Sequence, residues 1–337
     1  MRITTMGIDL AKNVFQIHGV DERGKVVVRK KLPRSKLMEF IANTTPCLIG
    51  VEACGSSHYW VRQFKKHGHT VKSIPPQYVK PFVKTNKNDS NDAEAICEAV
   101  QRPTMHFVSE KTIESQDIQC MHRIRSRLIR AKTALANEIR GLLSEYGVIV
   151  PKGNRVLKAR LPEILETDTN DLTSLTREMF SELYDELFEI EEKIQAFDDR
   201  IQKIFKASES CQRLARIEGV GPLTATAAIA TIGDPRAFKN GRQCAAWLGL
   251  VPRQSSSGGR TTLLGISKRG DSYLRMLLIH GGRAVVKNVR DKTDKRSLWI
   301  AEKEKTRGKN RAAVAVANKN ARIIWKMLKT GEAYRTA

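Results

Sequence analysis

Three short runs open the chain, Thr4 to Leu10, Val14 to Val20 and Val26 to Leu32, and all three are rich in β-branched and apolar residues. They read as strands, the last two joined by the turn Asp21-Glu22-Arg23-Gly24. A helix is predicted over Lys36 to Ile41, a strand over Cys47 to Val51, a helix around Tyr59 to His67, a strand over Thr70 to Ile74 and a helix from Asp89. Meander strands followed by α/β units predict a mixed sheet covered by helices, filling residues 1–108.

The rhythm then changes. Met121, Ile124, Leu128, Ala131 and Leu135 recur at alternating spacings of three and four, the pattern of a coiled-coil seam. After a break marked by Pro151, Gly153 and Pro162, the run Leu183, Leu187, Ile190, Ile194, Phe197, Ile201 and Ile204 keeps the same rhythm. Residues 109–210 are therefore expected to hold two long helices that fold back as a hairpin or pair with another subunit. Residues 211–337 are small-residue-rich and read as mainly helical. Two amphipathic helices joined through Gly219-Val220-Gly221 suggest either a helix-hairpin-helix, whose amides can meet a phosphate, or a plain tight turn.

Charge narrows the function. In 337 residues, 59 Lys and Arg stand against 36 Asp and Glu, a formal net charge of +23 that implies a polyanionic partner. Aromatic residues at 6% are too few for extensive base stacking, so phosphate backbone is the expected contact. Arg123, Arg125, Arg127, Arg130 and Lys132 spread around the first long helix, and the segment from Arg283 to Lys329 is densely basic with Trp299 and Trp325 interspersed. Each reads as a nucleic-acid surface or as a solvated face. No stretch approaches the ~20 apolar residues of a spanning helix, and MRITTMGIDL reads as a strand and not a signal peptide, so a cytosolic protein without a membrane partner is expected. Six cysteines (Cys47, Cys54, Cys97, Cys120, Cys211, Cys244) form no CxxC pair and read as reduced core thiols, with neither disulfide nor zinc. His67 and His69 fall in a polar turn, which reads as solvated with metal binding as the alternative.

Against that positive background four acids stand out: Asp9 in GIDLAKN, Glu52 in GVEACG, and Asp89 with Asp92 in NDSNDAEAI. Asp9 and Glu52 each follow a buried strand, while Asp89 and Asp92 share one face at a helix start. Singly, each is an ordinary strand-end or helix-start carboxylate. Together they offer the hard oxygen ligands that suit Mg²⁺, and two ions about 4 Å apart would clamp the oxygens of a phosphodiester exchange.

Ser255, Ser256 and Ser257 precede Gly258 and Gly259, among the cations Arg253, Arg260, Lys268, Arg269 and Arg275. By composition this is a flexible connection. The functional reading is a serine nucleophile on a phosphodiester, with neighbouring arginines stabilising developing charge. Spacing does not choose among the three serines.

The ordered series GIDLAKN, GVEACGSS, PPQYVKPF, NDSNDAEAI, IEGVGPLTA, RQCAAWLGLVPRQSSSGG and GDSYLR resembles the DEDD insertion-sequence transposases, the one-ten family and in particular its eleven-eleven branch. The resemblance implies an α/β N-terminal domain of the RNase H and RuvC type and a C-terminal transposase domain, which with the periodicity above gives the expected order of α/β domain, coiled-coil middle and mainly α C-terminal domain. It implies that Asp9, Glu52, Asp89 and Asp92 bind Mg²⁺ and that Ser257 becomes covalently linked to DNA. It further implies an element-encoded guide RNA pairing with element and target DNA, and assembly as a homo-oligomer, dimer or tetramer.

Three other classes are weaker. A metal-dependent nuclease of the Holliday-junction type would use only the four acids and form no protein–DNA adduct. A sugar- or acetate-kinase-like ATPase would need glycines where Ala11 and Lys12 stand. A non-catalytic scaffold leaves the acidic quartet without a role.

Overall fold

The strands form because β-branched and apolar residues alternate or cluster over five to eight positions, and glycine at two of those positions lets a helix lie against them. The computed structural model describes residues 2–84, 89–289 and 292–334 in two units, Met1–Thr112 and Ile113–Ala337.

In the first unit β1 (Thr5–Asp9), β2 (Val14–Val20) and β3 (Val26–Pro33) form the expected antiparallel meander. α1 (Arg34–Ala42), β4 (Leu48–Glu52), α2 (Ser57–Lys66), β5 (Thr70–Ile74), the single turn α3 (Pro76–Val79) and α4 (Asp89–Val100) follow. β4 runs parallel to β1 and β5 parallel to β4, giving the order β3-β2-β1-β4-β5. One core lies among Met6, Ile8, Phe15, Ile17, Leu37, Ile49, Trp60 and Phe64, and a second among Ile74, Ile96, Ala99 and Val100. His69 departs from the expected solvated turn. It is buried, with Nδ1 accepting from the Cys47 amide at 3.2 Å and Nε2 3.1 Å from the Ile41 carbonyl oxygen, so it joins the loops before β4 and β5.

The second unit begins with α5 (Ile113–Glu145), α6 (Asn154–Glu166) and α7 (Ser174–Ala207). Arg125 pairs with Asp198 and Lys132 with Glu191, seven residues on in α5 and seven back in α7. The two long helices therefore run antiparallel. Leu128, Leu135, Ile139, Leu143, Phe180, Leu187, Ile190 and Ile194 fill the space between them and α6. The N-terminal end of the predicted seam does not follow: Ile124 is 40% exposed, whereas its neighbour His122 is buried. There the buried side of α5 faces α9 (Pro222–Ile232), through a hydrogen bond from His122 to Thr226.

α8 (Glu209–Leu214), α9, α10 (Gly241–Trp247), α11 (Ser272–Lys287), α12 (Lys295–Arg307) and α13 (Lys309–Thr330) complete the unit around a core of Leu214, Ala225, Ala228, Leu248, Leu274, Leu278, Ala317 and Ile324. The small residues allow backbones to touch. A Cβ on Gly281 would come within 1.9 Å of the Gly219 carbonyl oxygen, and one on Gly282 within 2.4 Å of that of Ala313. α9 is not amphipathic as expected, since Thr224 to Ala228 and Ala230 to Ile232 are all buried. The turn at Gly219 is packed backbone to backbone against α11. Four cysteines are buried, but Cys54 is half-buried and Cys120 exposed, so these two are not core thiols. No helix among the described residues is long and apolar enough to cross a membrane.

Candidate functional site

The acidic site is built from the glycines beneath it. Gly7 of β1 pairs with Gly50 of β4, and α4 crosses both. A Cβ on Gly7 would stand 2.2 Å from the Ala93 carbonyl oxygen, and one on Gly50 2.8 Å from the Val100 Cβ. Side chains on a strand repeat every second residue, so Asp9 and Glu52, two positions on, lie on the face that carries α4. The first turn of α4 holds Asp89 and Asp92. Ligand oxygens of Asp9, Asp89 and Asp92 lie within 4.8 Å of one another. That is close to the ~3 to 4 Å between ligand oxygens on an octahedral ion with bonds near 2.1 Å. Three carboxylates brought together from two elements fit a hard divalent cation such as Mg²⁺.

Glu52 is not a fourth member of this group. It ends β4 beside Asp9, and both carboxylates, after burial, push the half-buried Cys54 thiol upward from its ordinary pKa. The remaining acids of α4 are engaged elsewhere. Glu94 accepts from Arg29 at 2.9 Å and from Lys84 at 2.8 Å, and Glu98 pairs with Arg102. The hydrogen bond and charge of Lys84 hold the Glu94 carboxyl below its usual range.

The serine segment, expected as a flexible loop, is a two-stranded antiparallel ribbon of β6 (Pro252–Ser257) and β7 (Arg260–Ile266). Gly258 at φ 53° and Gly259 at φ 78° make its two-residue turn. Both occupy the left-handed region that a tight hairpin of this kind requires. Thr261 and Thr262 supply the β-branched partners, so Gly-Gly between serine and threonine runs was the missed signal. Ser257 closes the ribbon opposite Arg260, Ser256 pairs with Thr261 and Ser255 with Thr262. Ser256 accepts from the Gln254 amide at 2.8 Å, which ties it to that side chain, and every residue of β6 is exposed.

The root of the ribbon is held by backbone contacts. Ser267 donates to the Val251 carbonyl at 2.8 Å and Lys268 to that of Gly249 at 3.2 Å, while Gly249 and Gly270 leave no room for a Cβ against Arg269 and Trp247. Arg275 donates to the carbonyls of Leu248 and Arg269 at 3.0 and 2.7 Å, so its guanidinium braces this root. Arg253, Arg260, Lys268 and Arg269 are exposed. On α5, Arg123, Arg127 and Arg130 are exposed, but Arg125 and Lys132 are taken by Asp198 and Glu191 within the helix pair.

Sequence reasoning also missed His122. Its Nδ1 lies 3.0 Å from the Tyr273 hydroxyl and its Nε2 3.0 Å from the Thr226 hydroxyl. Burial, followed by the charge of Arg125, pulls its pKa down to about 4.

The chain resembles known proteins along its whole length. The family profile described as "Transposase IS116/IS110/IS902 family" matches residues 211–297, and a second transposase profile, of the IS110 DEDD type, matches residues 6–148. A "Probable family 20 transposase" of Pseudomonas aeruginosa is 50% identical over 336 residues, covering 99% of both chains. The transposase for insertion sequence element IS1111A of Coxiella burnetii is 47% identical, covering 99% of this chain and 92% of its own. The transposase for element IS1328 of Yersinia enterocolitica is 38% identical, covering 98% of each. With its carboxylate group inside one matched region and its serine ribbon inside the other, the chain belongs to the IS116/IS110/IS902 family of transposases.

Proposed function

We propose that this protein cuts and rejoins the DNA of a mobile insertion sequence through a covalent link to Ser257, assisted by Mg²⁺ held at Asp9, Asp89 and Asp92 with Glu52 beside them. The observation that carries the reading is the convergence of three carboxylates in a chain of net charge +23. Like charges gathered at one place cost stability unless a cation joins them. In this reading residues 1–108 form a RuvC-like domain, 109–210 a coiled-coil region and 211–337 the transposase domain with the serine ribbon.

The Ser257 oxygen attacks phosphorus. A bond from Oγ to phosphorus forms, the bond to one bridging oxygen of the strand breaks, and the serine proton reaches the departing oxygen through solvent. One phosphodiester replaces another, so attack by the hydroxyl of a second strand reverses the step and frees Ser257. Arg260, directly across the ribbon, and Arg253 supply positive charge beside the oxygens of the pentacoordinate phosphorus. A bound Mg²⁺ would supply Lewis-acid stabilisation of the phosphate oxygens. Asp9, Asp89 and Asp92 would hold the cation through their carboxylate oxygens. The family resemblance extends the proposal to element ends and target as DNA partners, an element-encoded guide RNA, and a cytosolic dimer or tetramer.

The test is a denaturing gel of labelled element-end and target DNA with Mg²⁺, element-derived RNA and wild-type, Ser257→Ala or Asp92→Asn protein. A protein-linked band confined to wild type is expected, and it should weaken when RNA is left out. Free cleaved ends with no adduct, unchanged by Ser257→Ala, would make the protein a carboxylate nuclease instead.

A further inference from the structure

α13 carries a row of cations. Arg311, Lys319, Arg322 and Lys326 follow at steps of eight, three and four, the spacing that keeps side chains on one helix face. At 1.5 Å per residue the row is about 22 Å long. Lys319 and Arg322 line two clefts at once. One, of about 730 Å³, has Trp299, Arg311 and, at the root of the serine ribbon, Pro252, Leu264 and Ile266 in its walls. The other, of about 770 Å³, is lined by Arg242, Lys295, Arg296 and Lys326.

Among the described residues, three of the four cations in the row have no ion-pair partner. Glu218 reaches Arg296 at 3.5 Å and Glu332 reaches Lys326 at 3.7 Å, but among the described residues no ion pair reaches Arg311, Lys319 or Arg322. Lys319 is half-buried with its amine 4.6 Å over the Trp299 ring. Burial, then repulsion from Arg296 and Arg322, pulls its pKa down. Holding desolvated like charges together costs stability in the free protein, and an entering polyanion removes that cost.

We propose that this row on α13 is a binding site for a nucleic-acid phosphodiester backbone, with phosphates seated against Arg311, Lys319, Arg322 and Lys326 and Trp299 walling the cleft. The choice of nucleic acid over another polyanion rests on the proposed DNA chemistry. A row of about 22 Å runs beside about six phosphates of one duplex strand, at 3.4 Å of axis each. β6 spans five residue steps, about 17 Å, from the cleft wall at Pro252 to Ser257. The site thus grips backbone at the root of the ribbon whose tip carries the candidate nucleophile.

The experiment measures anisotropy of a labelled 30-mer, as duplex DNA and as single-stranded RNA, against salt in EDTA, with wild type, the double variant Lys319→Gln/Arg322→Gln and the single variant Arg311→Gln. Each lost phosphate contact should reduce the slope of log affinity on log salt by about 0.9 for duplex and about 0.7 for a single strand. The double variant should therefore lose about 1.8 or 1.4, with a thermal midpoint equal to or above that of wild type. Loss on the duplex assigns the site to DNA, and loss on the single strand alone assigns it to RNA. Arg311→Gln, at an exposed position, repeats the test without touching the Trp299 contact. Folded variants with an unchanged slope on both polymers would overturn the inference. Because this readout is binding and not cleavage, failure to form a Ser257 adduct would leave it standing, and normal adduct formation with unchanged slopes would overturn it alone.

Discussion

Gly7 and Gly50 face each other across β1 and β4, and the backbone of α4 rests on both. This contact fixes the distance between the strand-end carboxylate Asp9 and the helix-start carboxylates Asp89 and Asp92. Each glycine lies two residues before its acid, so the packing contact and the ligand rise from one face of one strand.

Gly7→Ala should therefore damage the acidic site without touching an acid. Its Cβ would stand 2.2 Å from the Ala93 oxygen and 2.4 Å from the Cys97 nitrogen. Both are helix backbone and cannot swing aside. A loss of about 1–3 kcal/mol is expected from overpacking, together with weaker Mn²⁺ or Mg²⁺ binding as α4 lifts. Gly141→Ala, in a helix with open space around the new Cβ, should instead gain about 0.5–1 kcal/mol. Urea unfolding and calorimetric titration with metal check both. Unchanged metal affinity in a destabilised Gly7→Ala protein would show that α4 does not set the site.

The turn of the serine ribbon is equally specific. Gly258 and Gly259 have positive φ and no atom within 4 Å of where a Cβ would stand, so substitution there meets conformational strain but no clash. Gly258→Val should lose most Ser257–DNA adduct because a β-branched residue resists the left-handed region, while Gly258→Asn, which tolerates it, should retain adduct. The melting temperature should not move for either, since the whole of β6 is exposed. Equal adduct from both variants would mean that ribbon geometry does not position Ser257.

Much of this was legible in the chain. Runs such as Met6 to Ile8 and Ile49 to Val51 are apolar because both faces of their strands are covered, and that burial is written as continuous hydrophobicity. Leu187, Ile190 and Ile194 likewise repeat along one face because that face of α7 packs into the core shared with α5. What escaped depends on contacts distant in sequence. His69 reads as turn residue until Cys47 and Ile41 surround it. α9 lacks an amphipathic stripe because helices cover it on several sides, and period carries no signal when every face is buried.

His122 shows the same limit, and it makes the second unit acid-sensitive. The Thr226 hydroxyl donates to the Pro222 carbonyl at 2.8 Å, so it must accept from His122 Nε2–H. That leaves Nδ1 as the acceptor for the Tyr273 hydroxyl. The donor chain, from α11 through α5 to α9, is complete only with a neutral imidazole. Burial holds the folded pKa at about 4, against about 6.5 in the unfolded chain. Between these values the unfolded state binds more protons, so stability rises with pH. The contribution is full above about 6.5 and is lost as pH falls toward the folded pKa, by about 2–3 kcal/mol at pH 4.5. His122→Gln keeps a donor for Thr226 and an acceptor for Tyr273 but cannot titrate. Urea midpoints at pH 7 and pH 4.5 should therefore differ less for the variant than for wild type. Equal acid sensitivity in the two proteins would assign the loss to carboxylates elsewhere and leave His122 as neutral packing.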